Sequence, residues 1–156
     1  MEVIKKKSAG CFVIKKQKEE YFVLLQKKNW QNGTIGWVPP KGSIELNESE
    51  KTAAKRETRE ETGLQSISII KKIKENRYSF KENNKTYDKT VVWFLATTTT
   101  MNLGDKNLTR QEKKTQKEVE WIKVDNALDL LVFEDEKRIL EEVKQLIYDG
   151  KIPDIK

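Results

Sequence analysis

The sequence predicts an α/β fold, a mixed β-sheet of short strands covered by helices. Three observations predict it. Apolar runs of strand length recur along the chain, as AGCFVIKK at 9–16, YFVLLQ at 21–26, ISIIKKI at 67–73 and VVWFLA at 91–96. Only two segments carry helical signals, and their compositions differ. One, 49–62, has Ala53 and Ala54 as its only apolar residues, whereas the other, 134–148, carries a full apolar stripe. A length of 156 residues suits one core, and no repeat or linker divides the chain, so residues 1–156 read as a single domain.

In order, the strand at 9–16 leads through polar KQKEE into the strand at 21–26, a pair that reads as a hairpin. Residues 27–36, KKNWQNGTIG, carry Asn and Gly without periodicity and read as a loop. Trp30 within it is either a packed anchor or an exposed stacking surface. WVPPKG follows at 37–42, and its paired prolines stiffen an extended chain. Either this is a simple turn or it delivers the Lys41 ammonium on a rigid backbone. Asn47 or Ser49 opens a helix running to about Thr62, with Glu48 and Glu50 near its first turn and Gly63 as its C-terminal cap.

Strands follow at 67–73 and 75–80, joined by a polar, hairpin-like connection at 81–88 to the most apolar run, 91–96. The polar, lysine-rich segment 101–118 is a mobile loop over a site or a surface excursion. A strand at 119–124 precedes a short turn that Asp125 could cap. Phe133, Ile139, Leu140, Val143, Leu146 and Ile147 form the stripe of the last helix, and the tail 151–156 reads as loose.

The formal charge of +6 favours polyanionic ligands such as nucleotides or RNA. The chain has no histidine, which removes every mechanism based on a histidine base, nucleophile or metal ligand. Its one cysteine, Cys11, can form neither an internal disulfide nor a thiolate zinc site and reads as core packing. No apolar stretch reaches the roughly 18 residues of a membrane span, and the N-terminus does not read as a signal peptide. The expectation is a cytoplasmic protein with no membrane and no stable protein partner implied.

Glu57, Glu60 and Glu61 stand at i, i+3 and i+4 and would share one face of the first helix. Three carboxylates that close repel one another unless a cation lies between them. Hard divalent ions such as Mg²⁺ prefer oxygen ligands and accompany phosphate substrates. A salt-bridged solvent face involving Arg56 is the competing reading. The near absence of large apolar residues favours the chemical reading, because this helix has little else to bury.

Gly42, Glu48, Arg56, Glu57, Glu60, Glu61, Gly63 and Leu64 fall at the spacings of a known signature, and segment 42–64 thereby resembles the Nudix hydrolases. Thr58 is a mild departure at an apolar position. The resemblance implies an α/β/α sandwich and hydrolysis of a nucleoside diphosphate linked to another moiety. It implies Glu57, Glu60 and Glu61 as ligands of Mg²⁺ (or Mn²⁺), with the Gly42 carbonyl assisting. It further implies Glu60 as base, Arg56 as the residue orienting the cluster, and Glu48 as a supporting carboxylate or extra ligand.

WVPPKG, KTVVWFLA at 89–96 and Glu120-Trp121 resemble the asymmetric diadenosine tetraphosphate hydrolases within that family. This resemblance implies Lys41 and Lys89 on the polyphosphate, with Tyr78, Phe80 or Tyr87 stacking on a purine. One feature departs from it. The histidine- and glutamate-bearing segment expected before the late tryptophan is KKTQKEVEW here, and Glu112 and Glu118 both stand out of step with the expected glutamate. Removal of pyrophosphate from an RNA 5′ end, clean-up of nucleoside triphosphates and a non-catalytic nucleotide-binding module are the alternatives.

Overall fold

The computed structural model describes residues 2–156. Its strands are β1 (Glu2–Gln17), β2 (Glu20–Asn29), β3 (Ile35–Val38), β4 (Lys41–Ser43), β5 (Ser68–Glu82), β6 (Lys85–Thr97) and β7 (Gln116–Lys123). The helices are α1 (Glu50–Thr62), α2 (Arg110–Thr115), α3 (Val124–Leu130) and α4 (Glu134–Tyr148). The sheet runs β3-β2-β1-β6-β5, with β4 added on β1 and β7 on β2. It is mixed: β1 and β6 run parallel from Glu2 beside Lys85 to Val13 beside Ala96, while β1 pairs β2 antiparallel at its far end.

Helices cover both faces, as the sequence predicts, and the period-two alternation of the strands sorts the core between them. Phe12, Val91, Trp93 and Leu95 point to the face covered by Ile139, Leu140 and Val143 of α4. Cys11, Val92, Phe94 and Ala96 point to the other face, where Ala53 and Ala54 of α1 let the helix approach closely. Burial pushes the Cys11 thiol up to about 12, in keeping with a packing role.

The structure corrects several local expectations. The strands read separately at 67–73 and 75–80 are one, β5, with register shifts at Ile69/Lys71 and Lys72/Lys74. It turns into β6 through Asn83 and Asn84, whose φ of 52° and 61° suits a tight hairpin. The loop read at 27–36 is partly strand, because β2 continues to Asn29 and β3 starts at Ile35. Asp125 does not cap α3, which begins at Val124 without a side-chain cap; Asp125 instead pairs with Lys144 at 2.6 Å. Phe133 is exposed rather than part of the α4 stripe. The tail is not loose, since Ile152 and Ile155 are buried in the core on the α4 face.

Candidate active site

Helix α1 is capped by Ser49, whose hydroxyl accepts from the Thr52 N–H, and ends at Gly63 with φ 82°. It buries Ala53, Ala54, Glu57, Thr58, Glu61 and Thr62. Thr58 fits an apolar position because its hydroxyl donates to the Ala54 carbonyl within the helix, at 2.8 Å. The carboxylates on this buried side therefore need partners, and the structure supplies them from two directions.

On one side stands Arg56. Its Nε and Nη2 grip both oxygens of Glu48 at 2.7 and 2.9 Å, and Nη2 also donates to the Ser43 carbonyl at 2.9 Å. Its Nη1 donates to Glu57 at 2.8 Å and to Glu60 at 3.2 Å. One planar fork thus fixes three carboxylates and the β4 backbone. The same guanidinium holds the Glu48 carboxyl well below the usual range, at about 2. With both oxygens engaged by Arg56, Glu48 is placed behind the cluster.

On the other side, Glu61 is 1% exposed and accepts from the Lys41 N–H at 2.7 Å and from Gln26 at 3.2 Å. Lys28 approaches its second oxygen at 3.8 Å. Gln116 ties this end together, donating to the Gln26 side-chain oxygen and to the Glu61 carbonyl at 2.9 and 2.8 Å.

The segment 101–118 explains how the acidic end of α1 is tolerated. Its backbone N–H groups serve carbonyls at the end of the helix, Gly104 donating to Gly63 at 2.8 Å and Asn107 to Glu60 at 2.7 Å. It then forms α2, opened by a reciprocal capping box between Thr109 and Glu112. That box brings Glu112 to the cluster. One carboxylate oxygen each from Glu57, Glu61 and Glu112 lies within 4.8 Å of the others. Glu112, which the sequence reading left out of step, therefore joins the acidic group, while Glu60 stands outside it on Arg56. The sequence reading also missed Gln26, Lys28 and Gln116. The buried Gln26, in a strand otherwise apolar at its centre, was the available signal.

Burial, together with the facing Glu112, pushes the Glu61 carboxyl up to about 9, and burial also raises Glu57. The group is all oxygen and closely spaced, and its three carboxylates outnumber the two cations that reach them, Arg56 and Lys28, which fits a hard divalent cation. Gly42 completes the fit: a Cβ there would lie 2.1 Å from the Glu57 carboxylate, so only glycine lets β4 pass this close.

A pH dependence follows. The folded pKa of Glu61 lies above its unfolded value of about 4.3, so its contribution to metal-free stability is full below that value and declines as pH rises towards about 9. Metal binding needs ionised carboxylates. Thermal unfolding should therefore show metal-free Tm falling between about pH 6 and about pH 8.5, with the Mg²⁺-induced gain in Tm widening over the same range. A gain independent of pH would contradict this.

Beside the carboxylates lies a pocket of about 390 Å³, whose lining includes Gln26, Lys28, Lys41, Trp30, Tyr78 and Phe133. Trp30 meets Phe133 edge-on, with ring centroids 5.9 Å apart, so it forms a pocket wall. Of the predicted substrate residues, Lys41 and Tyr78 line this pocket, while Lys89 lines a neighbouring groove that Tyr78 shares. Tyr78 pairs across the strands with Lys89, and Phe80 with Tyr87. Phe80 stacks on Tyr87 at 5.0 Å and lies 6.4 Å from Tyr78, while the Lys6 ammonium sits 5.5 Å from the Tyr87 ring centre. Burial, then the neighbouring Lys41 and Lys6 charges, lowers the Lys89 ammonium below its ordinary value.

Residues 4–143 match the NUDIX domain. The chain belongs to the Nudix family. A Sus scrofa protein named bis(5'-nucleosyl)-tetraphosphatase [asymmetrical] is 33% identical over 129 residues, which cover 81% of this chain and 80% of that protein. A Bos taurus diphosphoinositol polyphosphate phosphohydrolase 3-beta is 25% identical over 126 residues, covering 81% of this chain and 69% of that one. A crystal structure of a C. elegans Ap4A hydrolase binary complex superposes with a TM-score of 0.71 at 20% identity, covering 92% of this chain and 98% of that one, a likeness of fold. Nudix membership and the acidic group together support hydrolysis of a nucleotide substrate, with a carboxylate cluster able to hold a divalent metal. Among the described residues, no helix is long and apolar enough to cross a membrane.

Proposed function

We propose that this Nudix protein is a Mg²⁺-dependent hydrolase of dinucleoside polyphosphates, cleaving diadenosine tetraphosphate to ATP and AMP. One observation carries the proposal: Gln26, Lys28 and Lys41 belong to both the Glu61 environment and the aromatic pocket, so a nucleoside in the pocket would have its phosphates beside the carboxylates. A second stacking surface, Phe80 on Tyr87, suits the other base. The name of the Sus scrofa relative supports the same substrate class.

In this reading Glu57, Glu61 and Glu112 would hold the ion, with the Gly42 carbonyl and Glu60 contributing. Mg²⁺ bound there supplies neutralisation of phosphate charge and acidification of water. Lys41, Lys28 and Lys89 position the polyphosphate. Glu60, whose side chain is 31% exposed, is assigned as the base that takes a proton from the attacking water. The water oxygen bonds to phosphorus, an anhydride P–O bond breaks, and ATP and AMP leave. Arg56 keeps Glu57 and Glu60 in place throughout.

The basic edge formed by Lys5, Lys6 and Lys7, in one shallow groove with Tyr78 and Lys89, favours a second reading, removal of pyrophosphate from an RNA 5′ end. A substrate panel with Mg²⁺ separates the two readings. It should cover dinucleoside polyphosphates, nucleoside triphosphates, diphosphoinositol polyphosphates and 5′-triphosphate RNA, with products identified by mass. Diadenosine tetraphosphate is expected to turn over fastest and to yield ATP and AMP. Faster turnover of the RNA, or of any other class, would overturn the assignment.

A further inference from the structure

Among the described residues, Glu136 is the one buried charged residue that the hydrolytic centre does not explain. It is 6% exposed, lines the aromatic pocket, and its Oε1 has no hydrogen-bond partner among the described residues. An unpartnered buried carboxyl oxygen is costly and calls for a hydrogen-bond partner from outside the chain, a place a ligand in the pocket can fill. Its position in α4 is part of the puzzle. Residues 136, 139, 140 and 143 form one stripe, so a carboxylate stands where the pattern asks for an apolar side chain.

We propose that Glu136 reads the hydrogen-bonding edge of a purine held among Trp30, Tyr78 and Phe133, and that its protonation state selects between adenine and guanine. The proposal rests on the pocket being the nucleoside site of the reading above and names the residue that would set its base preference. The chemistry is specific. A neutral carboxyl donates its O–H to adenine N1 and accepts from the 6-amino group. A carboxylate accepts from guanine N1–H and the 2-amino group. Each form makes a paired contact with one base and leaves the other base mismatched.

The groups facing Glu136 are Lys41 from β4, Lys28 from β2, Tyr78 from β5 and its neighbour Asp135. Burial pushes its carboxyl up to about 7, against the opposing pull of Lys41 and with a further push from Asp135. Both forms are therefore populated near neutral pH. Lys41 acts on the carboxyl through its charge, with no hydrogen bond between them, so it moderates the carboxyl without occupying it.

The test is equilibrium binding of AMP, GMP and ribose 5-phosphate to the full chain in chelator, by calorimetry or by quenching of Trp30 and Trp93. Binding without metal does not depend on which anhydride is cleaved, so it stands apart from the substrate panel. Wild type should prefer AMP below pH 7, and the ratio of AMP to GMP affinity should fall by about tenfold or more by pH 8.5. Glu136→Gln, whose amide offers the same donor and acceptor as the neutral acid, should keep the AMP preference and lose the pH dependence. Glu136→Leu should weaken both nucleotides towards ribose 5-phosphate. A wild-type AMP to GMP ratio that does not change with pH would overturn the proposal. So would a Glu136→Gln variant that keeps the wild-type pH dependence. An equal shift of ribose 5-phosphate and both nucleotides in Glu136→Gln would show a mere counter-charge to Lys41 and would also overturn it.

Discussion

Replacing Glu112 by glutamine is expected to lower Mg²⁺-dependent turnover by roughly 10²–10⁴-fold, the range for loss of a carboxylate acting at the reacting centre. Glu112 shares the close oxygen group with Glu57 and Glu61, and it arrives there on a helix pinned by its own capping box. Glutamine preserves that box, because its side-chain oxygen can still accept from the Thr109 N–H. Loss of rate should therefore come without loss of fold, checked by circular dichroism and a Tm in chelator no lower than that of wild type. Glu118 is exposed and lies outside the group, so Glu118→Gln should turn over as wild type does. Equal rates for Glu112→Gln and Glu118→Gln would remove Glu112 from the centre.

Arg56→Ala should be the most destabilising single change at the site, by about 3 kcal/mol, because it strips the guanidinium from carboxylates that are mostly buried. Glu48, Glu57 and Glu60 would lose hydrogen bonds, and the Ser43 carbonyl would lose a donor. Urea unfolding in chelator measures the effect. Arg56→Lys keeps the charge but not the planar fork, so it should recover part of the stability while turnover stays about 10–100-fold low. Glu48 reports on the same contact. Arg56 holds its folded pKa near 2, below the unfolded value, so its stabilising contribution is present at neutral pH and is lost as pH falls towards 2. In Arg56→Ala the Glu48 carboxyl should return to the ordinary range, as an NMR titration would show. Wild-type stability in Arg56→Ala would contradict the role given to the fork.

What could be read from the sequence follows the range of the interactions. Segment 42–64 was legible because its geometry is local. Arg56, Glu57 and Glu60 at helical spacing need only one helix to meet, and Gly42 needs only the adjacent strand. The strands at 9–16, 21–26 and 91–96 were legible because alternation is local too. Glu112 was not. Its position depends on 101–109 satisfying the carbonyls at the end of α1 through backbone N–H groups, which leave no trace in residue type. Ile152 and Ile155 carry no periodicity, and their burial is decided by the groove they find beside α4. Glu136 was not singled out, because only the pocket gives an acid on the α4 stripe a meaning.

The most direct single measurement is a Mg²⁺ titration of diadenosine tetraphosphate cleavage by wild type and Glu61→Gln, with products weighed after reaction in ¹⁸O-labelled water. Wild type should be inactive in chelator, gain activity with Mg²⁺ and release ATP and AMP with one label between them, while Glu61→Gln stays inactive at every concentration that saturates wild type. Undiminished cleavage in chelator, or a Glu61→Gln variant matching wild type across the titration, would contradict a metal-dependent centre built on Glu57, Glu61 and Glu112.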